Sequence, residues 1–245
     1  MSDFKNFYEK YHASRFLPKK IIDEKNFTYK HIISVLDKFC KDRDVLDVGS
    51  GVGTIDFYLA SKEKNVTGIE ISEKAIDISQ KSLRVFNLKG RVKFICGDFL
   101  KLKFRRTFSF VICSEVLEHL KDDNAAIKKI LNLVKKDGLV MITVPSKNAP
   151  LIKFGVIKKF DERSGHLRRY YLDDLKHLIE KNRFKVIFSK KTEGILRNSL
   201  FVFKFGRLII RVANRFGFIS DIITFLDDIS LNLFGESQII IIATK

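Results

Sequence analysis

The feature that most constrains this chain is the turn Asp47-Val48-Gly49-Ser50-Gly51-Val52-Gly53, reached through the short apolar run Val45-Leu46-Asp47-Val48. An apolar run of this length ending in glycines reads as a buried parallel strand. Glycine lets a backbone turn tightly and approach a ligand closely, and the helix expected from about Thr54 offers free N–H groups. Open α/β sheets bind their ligands at such carboxyl ends of strands. A dinucleotide fingerprint would need glycine at 49, 51 and 54; position 54 is threonine, so the spacing argues against NAD.

The strand–helix alternation continues. Strands are expected at 66–70, 92–95, 108–113, 139–144, 184–188 and 238–243, and helices at 54–61, 73–86, 122–134 and 172–181. Ser72 is placed to cap the second of these helices, and Asp137-Gly138 to stop the third. Residues 4–39 read as helical with a break near Pro18, and the stretch to about Arg169 as a loop. This rhythm predicts a Rossmann-like α/β fold, a mostly parallel sheet with helices on both faces. No repeat or low-complexity linker divides the chain. Four parts are expected: an N-terminal helical cap (1–42), the core (43–193), an amphipathic helical insertion (194–235) and a last core strand (236–245).

Composition narrows the class. Hydrophobic residues make up 45% and charged residues 31% of 245, as in a globular protein with a sizeable core. No apolar stretch is long enough to span a bilayer, and the N-terminus lacks a leader pattern, so a cytoplasmic protein is expected. Cys40, Cys96 and Cys113 are scattered; they read as reduced thiols, and no metal-ligand spacing is visible. The net charge of +17 points to nucleic acid, an anionic membrane surface or a phosphorylated substrate, or else reflects dispersed lysine bias.

Two further strand ends carry chemistry. Glu70 closes the second strand about 20 residues past the glycine turn, where a carboxylate can accept both hydroxyls of a ribose. Gly97-Asp98-Phe99 follows the third, although Asp98 is also an ordinary turn former. These motifs, with Ser114-Glu115-Val116-Leu117-Glu118-His119-Leu120 and Gly165-His166-Leu167-Arg168-Arg169-Tyr170, resemble those of the class I S-adenosylmethionine-dependent methyltransferases. The likeness is to the subgroup acting on small molecules and on quinone or lipid substrates, and it spans roughly 43–190.

The resemblance implies seven strands with the last antiparallel, and S-adenosyl-L-methionine as cofactor. It implies that Gly49, Ser50, Gly51, Gly53 and the neighbouring backbone hold the methionine portion, with Asp47 positioning the loop. Glu70 would bind the ribose, Ile71 would pack on adenine, Asp98 and the Phe99 N–H would meet its edge, and Ser114 and Glu115 would lie beside the sulfonium. For a hydroxyl acceptor a general base is useful, and His119 is the first candidate; its alternative role is packing at a helix start. His166 and Tyr170 are further candidates on a loop over the site. Arg168 and Arg169 would bind an anionic acceptor or be solvated.

The insertion departs from the minimal pattern. Lys204, Arg207, Arg211 and Arg215 fall at intervals that put one basic stripe on a helix, edged by Phe201, Phe205, Leu208 and Val212. That is the texture of a membrane-surface helix, or of a hairpin buried on the domain or a partner. In the second half, Ile219, Ile222, Ile223, Leu226, Ile229 and Leu233 form one face, with Asp221, Asp227 and Asp228 opposite, a face suited to packing on the first half. The leading expectation is methyl transfer to a small or lipid-linked hydrophobic acceptor, on oxygen or on carbon, by a cytoplasmic enzyme peripheral to the membrane. RNA as substrate is the second reading, favoured by charge alone. The Asn- or Asp-Pro-Pro-aromatic segment of base-amino methyltransferases is replaced here by Ser114-Glu115-Val116-Leu117. A non-catalytic membrane-associated scaffold is the third, and the intact glycine turn and Glu70 speak against it.

Overall fold

The computed structural model describes residues 2–13, 17, 18 and 20–245. Helix α1 (Ser2–Ala13) is followed, beyond a non-helical stretch from 20 to 29, by α2 (Lys30–Phe39). The helical stretch expected over 4–39 with a break near Pro18 is thus two helices with a wider non-helical stretch between them, and residues 14–16 and 19 beside that break lie outside the described residues. The core then alternates β1 (Asp44–Val48), α3 (Thr54–Ser61), β2 (Asn65–Glu70), α4 (Glu73–Val85), β3 (Val92–Cys96) and β4 (Phe108–Ser114). It continues with α5 (Asp123–Leu133), β5 (Val134–Pro145), α6 (Val156–Ser164), α7 (Leu172–Glu180) and β6 (Lys185–Thr192). Three helices, α8 (Ile195–Val202), α9 (Gly206–Arg215) and α10 (Gly217–Phe234), precede β7 (Gln238–Thr244).

The seven strands form one sheet in the order β3-β2-β1-β4-β5-β7-β6. Strands β1 to β5 are parallel to one another, and β7 runs antiparallel to both β5 and β6. The order reverses at β1, so β1 and β4 open a crevice at their carboxyl ends. Alternate side chains feed two cores. Val45, Phe110, Ile112 and Met141 pack with Leu36, Phe57 and Leu83 on one face. Leu46, Val48, Val111 and Ile142 pack with Ile127, Ile130, Leu175 and Ile179 on the other. The Ser72 hydroxyl accepts from Ala75 N–H to cap α4, and Asp122 caps α5 by accepting from Ala125 N–H.

Two differences from the sequence expectation matter. Helix α6 and a preceding 3-10 turn (Pro150–Phe154) occupy part of the stretch expected to be loop. In α10 the burial departs in part from that expected: Ile219 and Ile223 pack inward on Phe27, Leu200 and Ala213, and Asp221 and Asp228 stay exposed, but the rest of the apolar face does not turn in. Ser220 and Asp227 are fully buried and Thr224 and Ser230 nearly so, while Ile222, Leu226, Ile229 and Leu233 are 50–76% exposed. The reason is local. Asp227 accepts from the N–H groups of Gly194 (2.8 Å) and Arg197 (2.9 Å), which begin α8 and have no intrahelical partners. Arg197 is itself buried beside it, 4.0 Å over the Phe27 ring and donating to the Phe27 carbonyl. Satisfying these polar groups turns Asp227, with Ser220, Thr224 and Ser230, inward. Lys204 falls in the turn between α8 and α9, so the basic stripe continues past the helix rather than lying wholly on it.

Candidate active site

A cavity of about 830 Å³ lies at the carboxyl ends of β1, β2, β3 and β4. The glycine turn forms its floor. Gly49 and Ser50 N–H both donate to the Ile69 carbonyl (2.8 and 2.9 Å), binding the turn to the end of β2. Gly49, Gly51 and Gly53 all have positive φ (78°, 55° and 82°), a region costly for residues with a Cβ. A Cβ on Gly49 would lie 2.4 Å from Val116 Cγ2, whereas one on Gly51 would meet nothing nearer than His12, at 3.9 Å. Gly51 thus faces open space. Gly53 does not line the cavity; its Cα packs against Phe57 and Phe94 and starts α3.

Glu70 is almost fully buried on this wall. Its carboxylate accepts from Gly51 N–H at 3.0 Å and from Ser72 N–H at 2.9 Å. Burial raises its pKa, and these backbone donors pull it back down. One oxygen is engaged on each side, so further lone pairs remain for hydroxyl donors. Asp47, beneath the turn, is buried beside Asp56 of α3. Burial raises both carboxyls, Asp56 to about 7, and at Asp47 the neighbouring Asp56 charge adds to the rise.

Ile71, Asp98 and Phe99 line the same end of the cavity. Asp98 uses one oxygen to accept from Leu100 N–H (2.9 Å), so it is a turn former as well as a wall residue. The Phe99 ring is turned into the core below Lys129. Further along, the Ser114 and Thr143 hydroxyls are 2.9 Å apart. Glu115, at φ 54°, accepts from Thr143 Oγ1 (2.9 Å) and Gln238 Nε2 (3.2 Å).

His119 lies on the cavity wall in the 3-10 turn Leu117–His119. Its Nδ1 donates to the Gly165 carbonyl at 3.0 Å, leaving Nε2 as the lone-pair nitrogen. Burial lowers its pKa to about 4, so the ring is neutral at physiological pH. His166 stands beside it, ring centroids 5.0 Å apart, with Nδ1 2.9 Å from Asp161. Tyr170, a further sequence candidate, is not in the cavity: its hydroxyl donates to Asp123 at 2.9 Å within the core. The two arginines are ion-paired, and Arg169 also lines the cavity. Arg168 pairs with Asp123 (2.8 Å), and Arg169 forks onto both oxygens of Asp161 (2.6 and 2.8 Å).

Several wall residues carried no sequence signal. Tyr8, Tyr11 and His12 of α1 line the cavity, and Glu9 holds that helix in place by accepting from Glu73 N–H at the start of α4. The insertion, where the sequence marks Phe201 and Arg207 as part of a basic, apolar helix, adds Asn198, Leu200, Phe201, Val202, Arg207 and Ile210 to the wall. Glu118 was part of a quoted motif without a role; it is fully buried behind His119.

The methyltransferase-domain family model matches residues 40–192. The ubiquinone biosynthesis O-methyltransferase of Nitrosomonas europaea is 28% identical over 116 residues, 47% of this chain and 49% of that protein. An uncharacterized protein of Methanocaldococcus jannaschii is 34% identical over 167 residues, 65% of this chain and 68% of the relative. The chain thus spans about half the length of the ubiquinone-biosynthesis relative it matches. Among solved structures, magnesium protoporphyrin IX methyltransferase from Synechocystis with bound SAH aligns with TM-score 0.66 at 17% identity, covering 100% of this chain and 99% of the other. At that identity the likeness is one of fold.

Proposed function

The chain belongs to the methyltransferase-domain family, the class I S-adenosylmethionine-dependent enzymes, and from that premise we propose that it methylates a hydroxyl of a hydrophobic, membrane-derived acceptor. One observation carries this reading. The cavity floored by the glycine turn and Glu70 is the same cavity walled by Phe201, Val202, Arg207 and Ile210 of the insertion.

The residues fit S-adenosyl-L-methionine, which supplies an electrophilic methyl group on a sulfonium. Gly51 leaves a cradle that a Cβ would fill, and the Ser50 hydroxyl is buried with no hydrogen-bond partner. Glu70 is held by two backbone donors in the posture needed to accept ribose hydroxyls. Asp98 and Ile71 stand where the adenine end would lie, and Ser114 and Glu115 at the methyl end. Catalysis then asks chiefly for alignment of the incoming oxygen. Glu115, fixed by Thr143 and Gln238, positions that oxygen. His119, whose neutral ring on the cavity wall keeps a lone pair on Nε2, draws off the proton, with His166 beside it. Carbon as the methylated atom is the alternative outcome of the same geometry.

The insertion is the docking element. Among the described residues no helix is long and apolar enough to cross a membrane. Instead α9 and α10 present Leu208, Phe216, Phe218, Ile222, Phe225 and Leu233 outward, and Lys204, Arg207, Arg211 and Arg215 supply positive charge along the same hairpin. An apolar face with a cationic fringe suits a bilayer of anionic lipids, and its link to the cavity gives a lipid-soluble acceptor a short path.

Two measurements test the two halves. Calorimetry with S-adenosylmethionine and S-adenosylhomocysteine should detect saturable binding; none would return the scaffold reading to the front. Flotation with phosphatidylglycerol-containing vesicles should capture the parent, and Gln at 204, 207, 211 and 215 should release it. A parent that ignores vesicles but binds and methylates tRNA, in a salt-sensitive manner, would replace the lipid acceptor with RNA.

A further inference from the structure

We propose that Glu118, His119 and His166 bind one divalent transition-metal ion at the acceptor end of the cavity. One ligand-capable atom from each of the three lies within 4.8 Å of the others. Glu118 Oε1 is 3.6 Å from His119 Nε2 and 4.0 Å from His166 Nε2. Those separations are too long for hydrogen bonds. They are near the spacing of ligands around one ion, because metal–ligand bonds of roughly 2.0–2.2 Å place neighbouring donors about 3–3.5 Å apart. Small side-chain movements close the difference.

The second observation is the carboxylate itself. Glu118 is fully buried, and neither of its oxygens has a hydrogen-bond partner. A buried, unpartnered carboxyl is costly, and a bound cation removes that cost. The two rings are also pre-set for the task. Each Nδ1 is engaged, by the Gly165 carbonyl for His119 and by Asp161 for His166, so each imidazole can offer Nε2. Asp161 is in turn held by the Arg169 fork. Outer partners of this kind orient metal-bound histidines and fix their tautomers.

Two imidazoles and one carboxylate form a donor set for zinc, manganese, iron(II) or cobalt. Magnesium and calcium prefer oxygen alone. His119 and His166 line the cavity while Glu118 lies behind them, so the ion's remaining positions would face the acceptor. This deepens the methyl-transfer reading and rests on it. A hydroxyl bound to the ion has a lowered pKa and releases its proton to water. Its oxygen then bonds to the methyl carbon as the carbon–sulfur bond breaks, leaving a neutral thioether. The ion would thus take over the activating role given to a free His119.

No sequence spacing announces the site, because His166 comes from the loop after α6 and meets the other two only in the fold.

The test is cobalt titration of the chelator-stripped full chain, followed by visible absorption. Ligand-field bands should saturate at one equivalent of Co²⁺ and vanish as Zn²⁺ displaces it. Glu118→Gln and His166→Asn should each weaken binding at least tenfold. Asp161→Asn, one shell out, should weaken it about 10–100-fold. Circular dichroism establishes that each variant is folded, and calorimetry with S-adenosylhomocysteine is run in parallel. Absence of saturable bands in the folded parent, or bands unchanged in folded Glu118→Gln and His166→Asn, overturns the metal site. Metal binding without cofactor binding would instead sink the methyl-transfer reading and leave the site standing.

Discussion

Glu70 accepts the backbone N–H of Gly51 across 3.0 Å, joining the end of β2 to the middle of the glycine turn. With Ser72 N–H on its other oxygen, the carboxylate braces the turn and keeps lone pairs facing the cavity. Glu70→Ala should therefore weaken S-adenosylhomocysteine binding by about 1–3 kcal/mol, the loss of charge-assisted hydrogen bonds. Calorimetry on the folded variant checks this, and unchanged affinity would remove Glu70 from the ribose role.

The two glycines at either end of the Ser50 step should behave differently. Gly49→Ala combines positive φ with a 2.4 Å approach to Val116, so it should lower stability by at least about 2 kcal/mol. Gly51→Ala meets only the φ cost, about 1 kcal/mol, because its Cβ enters open space. That variant should fold yet lose cofactor binding, since the methyl fills the cradle. Thermal melts and calorimetry separate the two; a Gly51→Ala protein with parental affinity would contradict the cradle.

Asp56 should make stability fall with rising pH. Burial lifts its pKa from 3.8 to about 7 and raises Asp47 as well. Between about pH 4 and about pH 7 the folded chain therefore holds more protons than the unfolded one, and stability declines through that window. Each pKa unit corresponds to about 1.4 kcal/mol. Asp56→Asn should flatten the slope of Tm against pH and be the more stable protein at about pH 8. Parallel slopes in parent and variant would refute the assignment.

The burial of Asp227 beside exposed Leu226 and Ile229 in α10 predicts an unusual pattern of tolerance. Leu226→Glu and Ile229→Glu place charge on half-exposed positions and should change stability by no more than about 0.5 kcal/mol, while abolishing vesicle flotation. Asp227→Ala leaves the N–H groups of Gly194 and Arg197 without their acceptor and removes a carboxylate near the buried Arg197 guanidinium. Two orphaned buried donors should cost about 2–4 kcal/mol. Urea unfolding measures both; a larger loss at Leu226 than at Asp227 would mean the apolar face is the buried one.

Much of the fold was legible because its signals are local. Val45 to Val48 and Val66 to Ile69 are apolar runs long enough for one strand each, and Ser72 and Asp122 cap the helices they precede. The candidate site was legible in part for the same reason: Asp47, Gly49, Gly51, Glu70, Asp98 and Glu115 each follow or close a strand and line one cavity. Gly53 and Tyr170 belong to the same motifs but were drawn into packing. Proximity in sequence to a site residue does not determine where a neighbouring side chain points. Helix α6 was missed because Val156, Ile157 and Phe160 give it few apolar positions among charged ones.

What the sequence determined by itself was the succession of the seven strands with most of their helices, and the glycine turn with its paired carboxylate. Periodicity and backbone geometry act over a few residues and need no distant partner. Only the tertiary structure decided which face of α10 is buried, because Asp227 is drawn inward by unpaired N–H groups of a helix some thirty residues earlier. It alone decided that His166 stands beside Glu118 and His119, and that the insertion shares a wall with the glycine turn. Those meetings are set by the packing of remote segments, whose separations along the chain carry no chemical signal.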